Sequence, residues 1–252
     1  MSKSFNPSSC GLPSLAACVA FATLSLSTAL AGAVPIVEDS IAQRVLACTG
    51  CHGAEGRAAA DGYYPRIAGK PAGYLYNQLL NFRDGRRQYP LMSELLQPLS
   101  NDYLLEMASH FSALELPYPA PARPAAPQAV LARGEQLVRK GDESNRVPAC
   151  TGCHGDRLTG VAPAIPGLAG LPRDYVAAQL SGWKSGIRHA QSPDCMAQIA
   201  QRMAPGDINA VAHWLSIQPV PANGKPALAP DRPLTIRCGG VPATQMAPEG
   251  AR

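Results

Sequence analysis

The heptad Ala-Cys-Thr-Gly-Cys-His-Gly occurs twice in this chain of 252 residues, at 47–53 and at 149–155. Two thiols at this spacing can add to the two vinyl groups of one haem, and the adjacent histidine can then bind the iron. The sequence therefore predicts two covalently bound haem c groups. The predicted thioethers are at Cys48, Cys51, Cys150 and Cys153, and the predicted axial ligands are His52 and His154.

Two other uses of paired cysteines compete with this interpretation. A Cys-x-x-Cys pair can form a redox-active disulfide, and four cysteines can bind zinc. A redox disulfide leaves the histidine that follows each pair, and the duplication itself, without an explanation. The pairs also lie about a hundred positions apart, in segments that each look self-contained.

The heptads are part of a longer internal duplication. Residues 64–87 align without a gap on 165–188, and residues 92–114 align without a gap on 196–218. The matched positions of the first copy include Pro65, Gly69, Pro71, Tyr74, Gln78 and Arg87, which correspond to Pro166, Gly170, Pro172, Tyr175, Gln179 and Arg188. A duplication of this length predicts two similar structural units.

Each copy shows helical periodicity and no alternating strand pattern. A short helix capped by Asp39-Ser40 should lead into the first heptad, and a middle helix should follow Pro71 and Pro172. Apolar residues at spacings of 3, 4 and 7 predict a last helix in each copy. These residues are Leu104, Met107, Ala108 and Phe111, and then Ile208, Val211, Ala212 and Leu215. The predicted fold is all-α, with two tandem domains each wrapped around one covalent haem.

The N-terminus resembles a secretory signal peptide. A polar start containing Lys3 precedes an apolar run from Leu15 to Ala31, and small-residue cleavage patterns end at Ala31 and Ala33. The run is short for a membrane span. We expect residues 1–33 to be removed on export to the periplasm.

Proline-rich segments divide the rest of the chain. Residues 117–128 are rich in proline and poor in charge, which favours extended backbone and predicts a semi-rigid linker. The predicted organisation is a first domain at 34–116, this linker, a second domain at 129–218 and a C-terminal tail at 219–252.

The duplication also suggests the second axial ligand of each iron. Met92 and Met196 occupy matching positions, each in a predicted loop between the middle and the last helix. A methionine thioether at this position raises the reduction potential of a haem. The other candidates, Met107 and Met203, are predicted to be packing residues.

Export leaves six cysteines, of which Cys195 and Cys238 lie outside the heptads. An oxidising compartment permits disulfides, so these two are a candidate pair. The competing hypothesis makes Cys195 an iron ligand, because it directly precedes Met196.

The formal charge of +4 is spread along the chain without a basic run or a basic-aromatic stripe. This distribution does not predict nucleic-acid binding.

The heptads, the proline that follows each of them and the distal methionines resemble class I c-type cytochromes. Two such units in tandem resemble the dihaem cytochrome c4 family, and the resemblance covers about residues 38–218. It implies that the carbonyls of Pro65 and Pro166 orient His52 and His154. The tail departs from the family pattern.

We expect a periplasmic electron carrier without catalytic activity of its own, because histidine and methionine together saturate each iron. The resemblance implies redox proteins as partners, such as a respiratory complex, a terminal oxidase or a dehydrogenase subunit, and peripheral membrane association is compatible with it. One alternative is the haem subunit of a periplasmic dehydrogenase complex of the flavocytochrome or alcohol dehydrogenase type. Another alternative is an autonomous dihaem peroxidase or thiosulfate dehydrogenase. Such an enzyme requires one haem iron whose ligand is displaceable or is a cysteine.

Overall fold

The computed structural model describes residues 38–59 and 62–245. The predicted signal peptide at 1–33 lies outside these residues. Within them the chain forms ten α-helices and a two-stranded hairpin, so the predicted all-α class is confirmed. None of the helices in this part of the chain has the length and apolar content needed to cross a membrane.

The helices follow one another in the order that the duplication predicts. They are α1 (Ile41–Arg44), α2 (Leu46–His52), α3 (Ala72–Arg83), α4 (Pro90–Leu96), α5 (Asn101–Ala113), α6 (Gln128–Arg139), α7 (Thr151–His154), α8 (Arg173–Ser185), α9 (Cys195–Arg202) and α10 (Pro205–Ser216). Strands β1 (Gly160–Val161) and β2 (Ile165–Pro166) pair antiparallel between α7 and α8. Strands of two residues carry no alternating pattern, which is why the sequence did not predict them.

Helices α3 and α5 form the core of the first copy. The oxygen of Ser100 accepts a hydrogen bond from the amide of Tyr103 and so caps α5. The predicted face of α5 is buried against Leu75 and Phe82 of α3. The four residues of this face are Leu104, Met107, Ala108 and Phe111.

Helices α6, α8 and α10 form the core of the second copy. Gly134 of α6 lies so close to α10 that a Cβ atom there would be 2.2 Å from the carbonyl oxygen of Ala210. The glycine thus allows the two helices to cross at backbone contact, with Trp214 and Leu215 buried beside it.

The matched methionines lie on short helices, where the sequence analysis expected loops. Met92 lies on α4, which begins with Pro90 in its first turn. Met196 lies on α9, whose N-cap Asp194 accepts hydrogen bonds from the amides of Ala197 (3.0 Å) and Ala190 (2.6 Å). These helices have only seven and eight residues, too few for a clear apolar period.

Residues 114–127 are not helical, and α6 begins at Gln128, the last residue of the predicted linker. Arg66 fixes the start of this segment to the first copy. Its guanidinium donates to the carbonyls of Leu116 (2.6 Å) and Pro117 (3.0 Å) and lies 4.0 Å from the ring centroid of Tyr118.

The tail is packed on the second copy over its described residues, 219–245. Ala227 extends the small hairpin, since its amide donates to Gly160 (2.9 Å) and its carbonyl accepts from Ala162 (2.8 Å). Leu234 is buried against Val161 and Ile165. The tail is therefore part of the folded structure and covers one side of the second copy.

Candidate haem sites

A cavity of about 1010 Å³ runs through both copies, and both heptads contribute to its wall. Its lining is mainly apolar and includes every residue that the sequence analysis assigned to haem binding. These residues are Cys48, Cys51, His52, Pro65, Met92, Cys150, Cys153, His154, Pro166 and Met196. The structure thus brings the predicted site residues of both copies to one continuous cavity.

His52 ends α2, is buried and has a defined tautomer. Its Nδ1 lies 2.8 Å from the carbonyl oxygen of Pro65. A carbonyl oxygen can only accept, so Nδ1 carries the proton and the lone pair of Nε2 is free to bind a metal. Burial lowers the pKa of His52, which favours the neutral imidazole that iron requires; the Pro65 carbonyl opposes this shift and Arg87 adds to it.

His154 has the same arrangement in the second copy. Its Nδ1 donates to the carbonyl oxygen of Pro166 at 2.7 Å. Burial lowers the pKa of this imidazole, the Pro166 carbonyl acts in the opposite direction, and the nearby Lys70 lowers it further. The hydrogen bond that the family resemblance implies for each proline carbonyl is therefore present in both copies. It fixes the orientation of each imidazole through Nδ1.

Cys48, Cys51, Cys150 and Cys153 are not paired in disulfides. Burial raises the pKa of Cys48, and burial with the neighbouring Cys153 raises that of Cys150 to about 12. Among the described residues, no three histidine, cysteine or acidic side chains form a group that could hold a metal ion.

Met92 and Met196 are half-buried on the cavity wall. Met107 and Met203 are almost fully buried within the two cores, which agrees with their predicted packing role, although both also reach the cavity.

Cys195 and Cys238 are joined by a disulfide. The sulfur of Cys195 is therefore not free to serve as a thiolate ligand. The structure thus disagrees with the hypothesis of a cysteine-ligated iron at this position.

Two arginines that the sequence analysis did not assign to the site lie where the copies meet. Arg87 and Arg188 pair through their backbones, one from each copy. Gln78 accepts hydrogen bonds from both guanidiniums at 2.9 Å, and Gln179 also accepts from both. Burial lowers the pKa of Arg188 to about 10, and the like charge of Arg87 contributes.

Lys70 is a further buried cation on the cavity wall. It belongs to the first copy, and its Nζ lies 3.4 Å from the carbonyl oxygen of Gly167 in the second. Burial lowers its pKa to about 8, and Arg66 adds to the effect. Its counterpart in the second copy is Leu171, so the alignment of the copies could not mark Lys70 as functional.

These cations provide a test of whether haem fits the cavity. In the described part of the chain, no ion pair joins Lys70, Arg87 or Arg188 to a carboxylate. Buried charges are normally paired, so the site requires anions that the protein does not supply. Haem carries two propionates and an apolar ring, which match both the cations and the apolar wall.

The chain is similar to proteins of known family. A cytochrome c4 of Pseudomonas aeruginosa is 32% identical over 77% of this chain and 95% of its own length. The chain belongs to the dihaem cytochrome c4 family. It is therefore a dihaem c-type electron-transfer cytochrome, although no protein-family model matches it.

Other family members carry a more specific name. A thiosulfate dehydrogenase electron acceptor of Thiomonas intermedia is 38% identical over 80% of this chain and 91% of its own length. A protein of the same name from Stutzerimonas stutzeri is 35% identical over 68% of this chain and 78% of its own length.

Solved structures agree with this membership. Reduced cytochrome c4 from Pseudomonas stutzeri is similar with a TM-score of 0.58 and 29% identity, over 69% of this chain and 94% of that one. Thiosulfate dehydrogenase (TsdBA) from Marichromatium purpuratum is similar with a TM-score of 0.60 and 33% identity, over 70% of this chain and 37% of that one.

Proposed function

We propose that this cytochrome is a periplasmic carrier that accepts electrons from a thiosulfate dehydrogenase and passes them to a further redox protein. The observation that carries the proposal is the shared cavity, where both heptads, both matched methionines and the paired arginines meet. The names of the relatives from Thiomonas intermedia and Stutzerimonas stutzeri support thiosulfate dehydrogenase as the donor.

The chain's own residues would hold each haem at fixed points. The heptad cysteines would form the thioethers, while His52 and His154 would each present Nε2 to an iron with Nδ1 tied to a proline carbonyl. Met92 and Met196 would supply the opposite ligands. Bound haem would supply a reversible one-electron couple, and a histidine and a methionine together would leave no position on its iron for a substrate.

The paired arginines would connect the two halves electrostatically. Each guanidinium shares both glutamines with the other, so movement of one arginine disturbs the other. Anionic propionates placed against this pair would be neutralised away from water. The apolar wall excludes solvent and limits the reorganisation that accompanies a change of charge.

Mixing experiments test the proposed donor directly. The oxidised cytochrome, purified thiosulfate dehydrogenase and thiosulfate are combined in a stopped-flow spectrophotometer, and haem reduction is followed by absorbance. We expect rapid reduction of both haems only when enzyme and thiosulfate are both present. Slow reduction in the complete mixture would contradict the proposed donor, and steady thiosulfate turnover by the cytochrome alone would contradict the carrier role.

Stable association with the dehydrogenase is a second candidate. It is favoured by the Marichromatium purpuratum structure, in which the stretch similar to this chain is 37% of a longer chain. Size-exclusion chromatography of the two proteins together separates the alternatives. A shuttle elutes apart from the enzyme, whereas a subunit elutes with it.

A further inference from the structure

The two copies differ in how far the cavity wall beside each heptad is exposed. In the first copy Leu46 is 56% exposed, Leu91 61% and Leu95 48%, and Cys51 is exposed next to them. Leu91, Leu95 and Cys51 also line the cavity. In the first copy the cavity wall is therefore exposed at Ala47, Cys51, Leu91 and Leu95, and we call this apolar opening the first mouth.

The matching positions of the second copy are less exposed. Leu46, Cys51, Leu91 and Leu95 correspond by alignment to Pro148, Cys153, Cys195 and Ile199, all of which are half-buried. The tail supplies Leu234, Ile236 and Val241 to this side of the cavity wall. Cys153 packs against the cluster that contains Leu234, and Cys195 is bonded to Cys238, so the tail contributes to the lower exposure at these two positions.

The tail is held in this place at several points. The disulfide ties Cys238 to Cys195, and the amide of Gly239 donates to the carbonyl of Pro193 at 2.9 Å. The side chain of Asn77, from the first copy, donates to the carbonyl of Gly240 at 2.9 Å. Covalent and hydrogen-bonded contacts together make the tail a fixed cover.

Charge further distinguishes the surface of the first copy. All eight acidic residues described within 38–116 are exposed. Of the seven basic residues in this range, Arg44 and Arg57 are exposed, whereas the other five are buried or half-buried. Arg44, beside the mouth, pairs with both Asp39 and Glu106. The first copy thus combines the apolar first mouth with a surface whose exposed charges are mainly acidic, which favours a partner with a basic rim.

We propose that the first mouth is the surface through which this chain exchanges electrons with a partner protein that has an apolar centre and a basic rim, while the tail closes the equivalent surface of the second copy. This proposal rests on the proposed carrier function. The thioether that Cys51 would form lies at an edge of its haem, so the exposure of Cys51 would bring that edge close to solvent. One electron passes between this edge and the partner's redox centre, and no atom or proton is transferred.

A redox-inert cation with aromatic faces is a suitable probe of the surface. Chromium(III) tris(phenanthroline) is positively charged, apolar on its outside and paramagnetic, so it broadens the NMR signals of nearby amides. We expect selective broadening at Ala47, Leu91 and Leu95 of the full mature holoprotein in its reduced state. Broadening centred on the second copy would overturn the proposal.

Two leucine variants with matched exposure test the same surface by kinetics. Leu95 lines the first mouth, whereas Leu105 on α5 is 47% exposed and does not line the cavity. Oxidation of the reduced protein by cobalt(III) tris(phenanthroline) is followed by stopped flow. We expect Leu95→Lys to slow oxidation at least about tenfold and Leu105→Lys to change it by less than about twofold. Equal rates for the two variants would overturn the proposal.

Opening the disulfide tests the role of the tail. The Cys195→Ser/Cys238→Ser variant, or the wild-type protein treated with tris(2-carboxyethyl)phosphine, should show new broadening by the chromium complex at Ile199 and Leu234. The reductant cleaves the disulfide of the wild-type protein without any substitution. The test therefore remains valid even if the double variant does not fold. Unchanged broadening after disulfide cleavage would show that the tail is not a cover.

Failure of this proposal is distinguishable from failure of the carrier function. If both haems titrate reversibly but Leu95→Lys and Leu105→Lys are oxidised at the same rate, the carrier function stands. The assignment of the first mouth as the electron-exchange surface is then wrong. If the haems do not titrate reversibly, the carrier function itself is wrong.

Discussion

Arg87 and Arg188 lie side by side where the two copies meet, and Gln78 and Gln179 each accept a hydrogen bond from both guanidiniums. Each arginine also stacks on an aromatic ring of its own copy. The guanidinium carbon of Arg87 is 4.5 Å from the ring centroid of Phe82, and that of Arg188 is 3.7 Å from Trp183. Two like charges held this closely require anions nearby, and the propionates of the two haems can provide them.

Arg188→Met should lower the reduction potential of both haems. Removal of a buried positive charge near the irons favours the ferric state, by about 1 kcal/mol or roughly 40 mV for a one-electron couple. Potentiometric titration checks the shift. Arg188→Lys is the matched control and should stay close to wild type, because it keeps the charge. Identical reduction potentials in the Arg188→Met and Arg188→Lys variants would show that the charge of Arg188 does not set the potential.

Met196→Ala should leave the second iron high-spin or water-ligated and should lower its reduction potential. Visible spectra should then show about half of the weak far-red methionine–iron band. Met203→Leu, a change in the adjoining core, should retain the full band. If Met196→Ala retains it as well, Met196 is not an axial ligand.

The disulfide should stabilise the second copy. Cys195 and Cys238 are separated by 43 positions, and on the chain-entropy estimate closing such a loop contributes about 2–4 kcal/mol to the free energy of unfolding. Urea unfolding of the Cys195→Ser/Cys238→Ser variant measures this loss. Thiol labelling of the unreduced, denatured wild-type holoprotein gives an independent check. No reactive thiol is expected, and two would rule out the disulfide.

Asp142 should make stability depend on pH in the acid range. Hydrogen bonds from Ser144, Arg133 and Asn145 hold the pKa of its carboxyl below its usual range. The folded-state pKa lies below the unfolded-state value, so this stabilisation is present above about pH 4 and is lost as the pH falls toward the folded-state pKa. Thermal unfolding of Asp142→Asn should give a lower Tm than wild type at pH 7, with the difference disappearing in strong acid. A constant difference across this range would contradict the assignment.

Several features of the site could be predicted from the sequence because they are local or duplicated. The heptad fixes two thiols and an imidazole within one turn of backbone, so its chemistry follows from spacing alone. The buried faces of α5 and α10 follow from the apolar period of their residues. The duplication then selected Met92 and Met196 from the methionines of the chain.

Other features could not be predicted because they depend on contacts between distant segments. Gln78 and Arg87 are matched by Gln179 and Arg188, but alignment does not show that the two pairs meet. Lys70 has no counterpart that would single it out. The tail has no repeat and little periodicity, and its position depends on one disulfide and on pairing with a two-residue strand.

The assignment of this chain as a dihaem electron carrier is tested most directly by a potentiometric titration of the mature holoprotein. The visible spectrum of both haems is followed under exclusion of oxygen. We expect reversible uptake of two electrons per molecule in two one-electron steps, with methionine ligation at both irons. Uptake of a single electron, or a second iron that is not six-coordinate in the ferric state, would contradict this assignment.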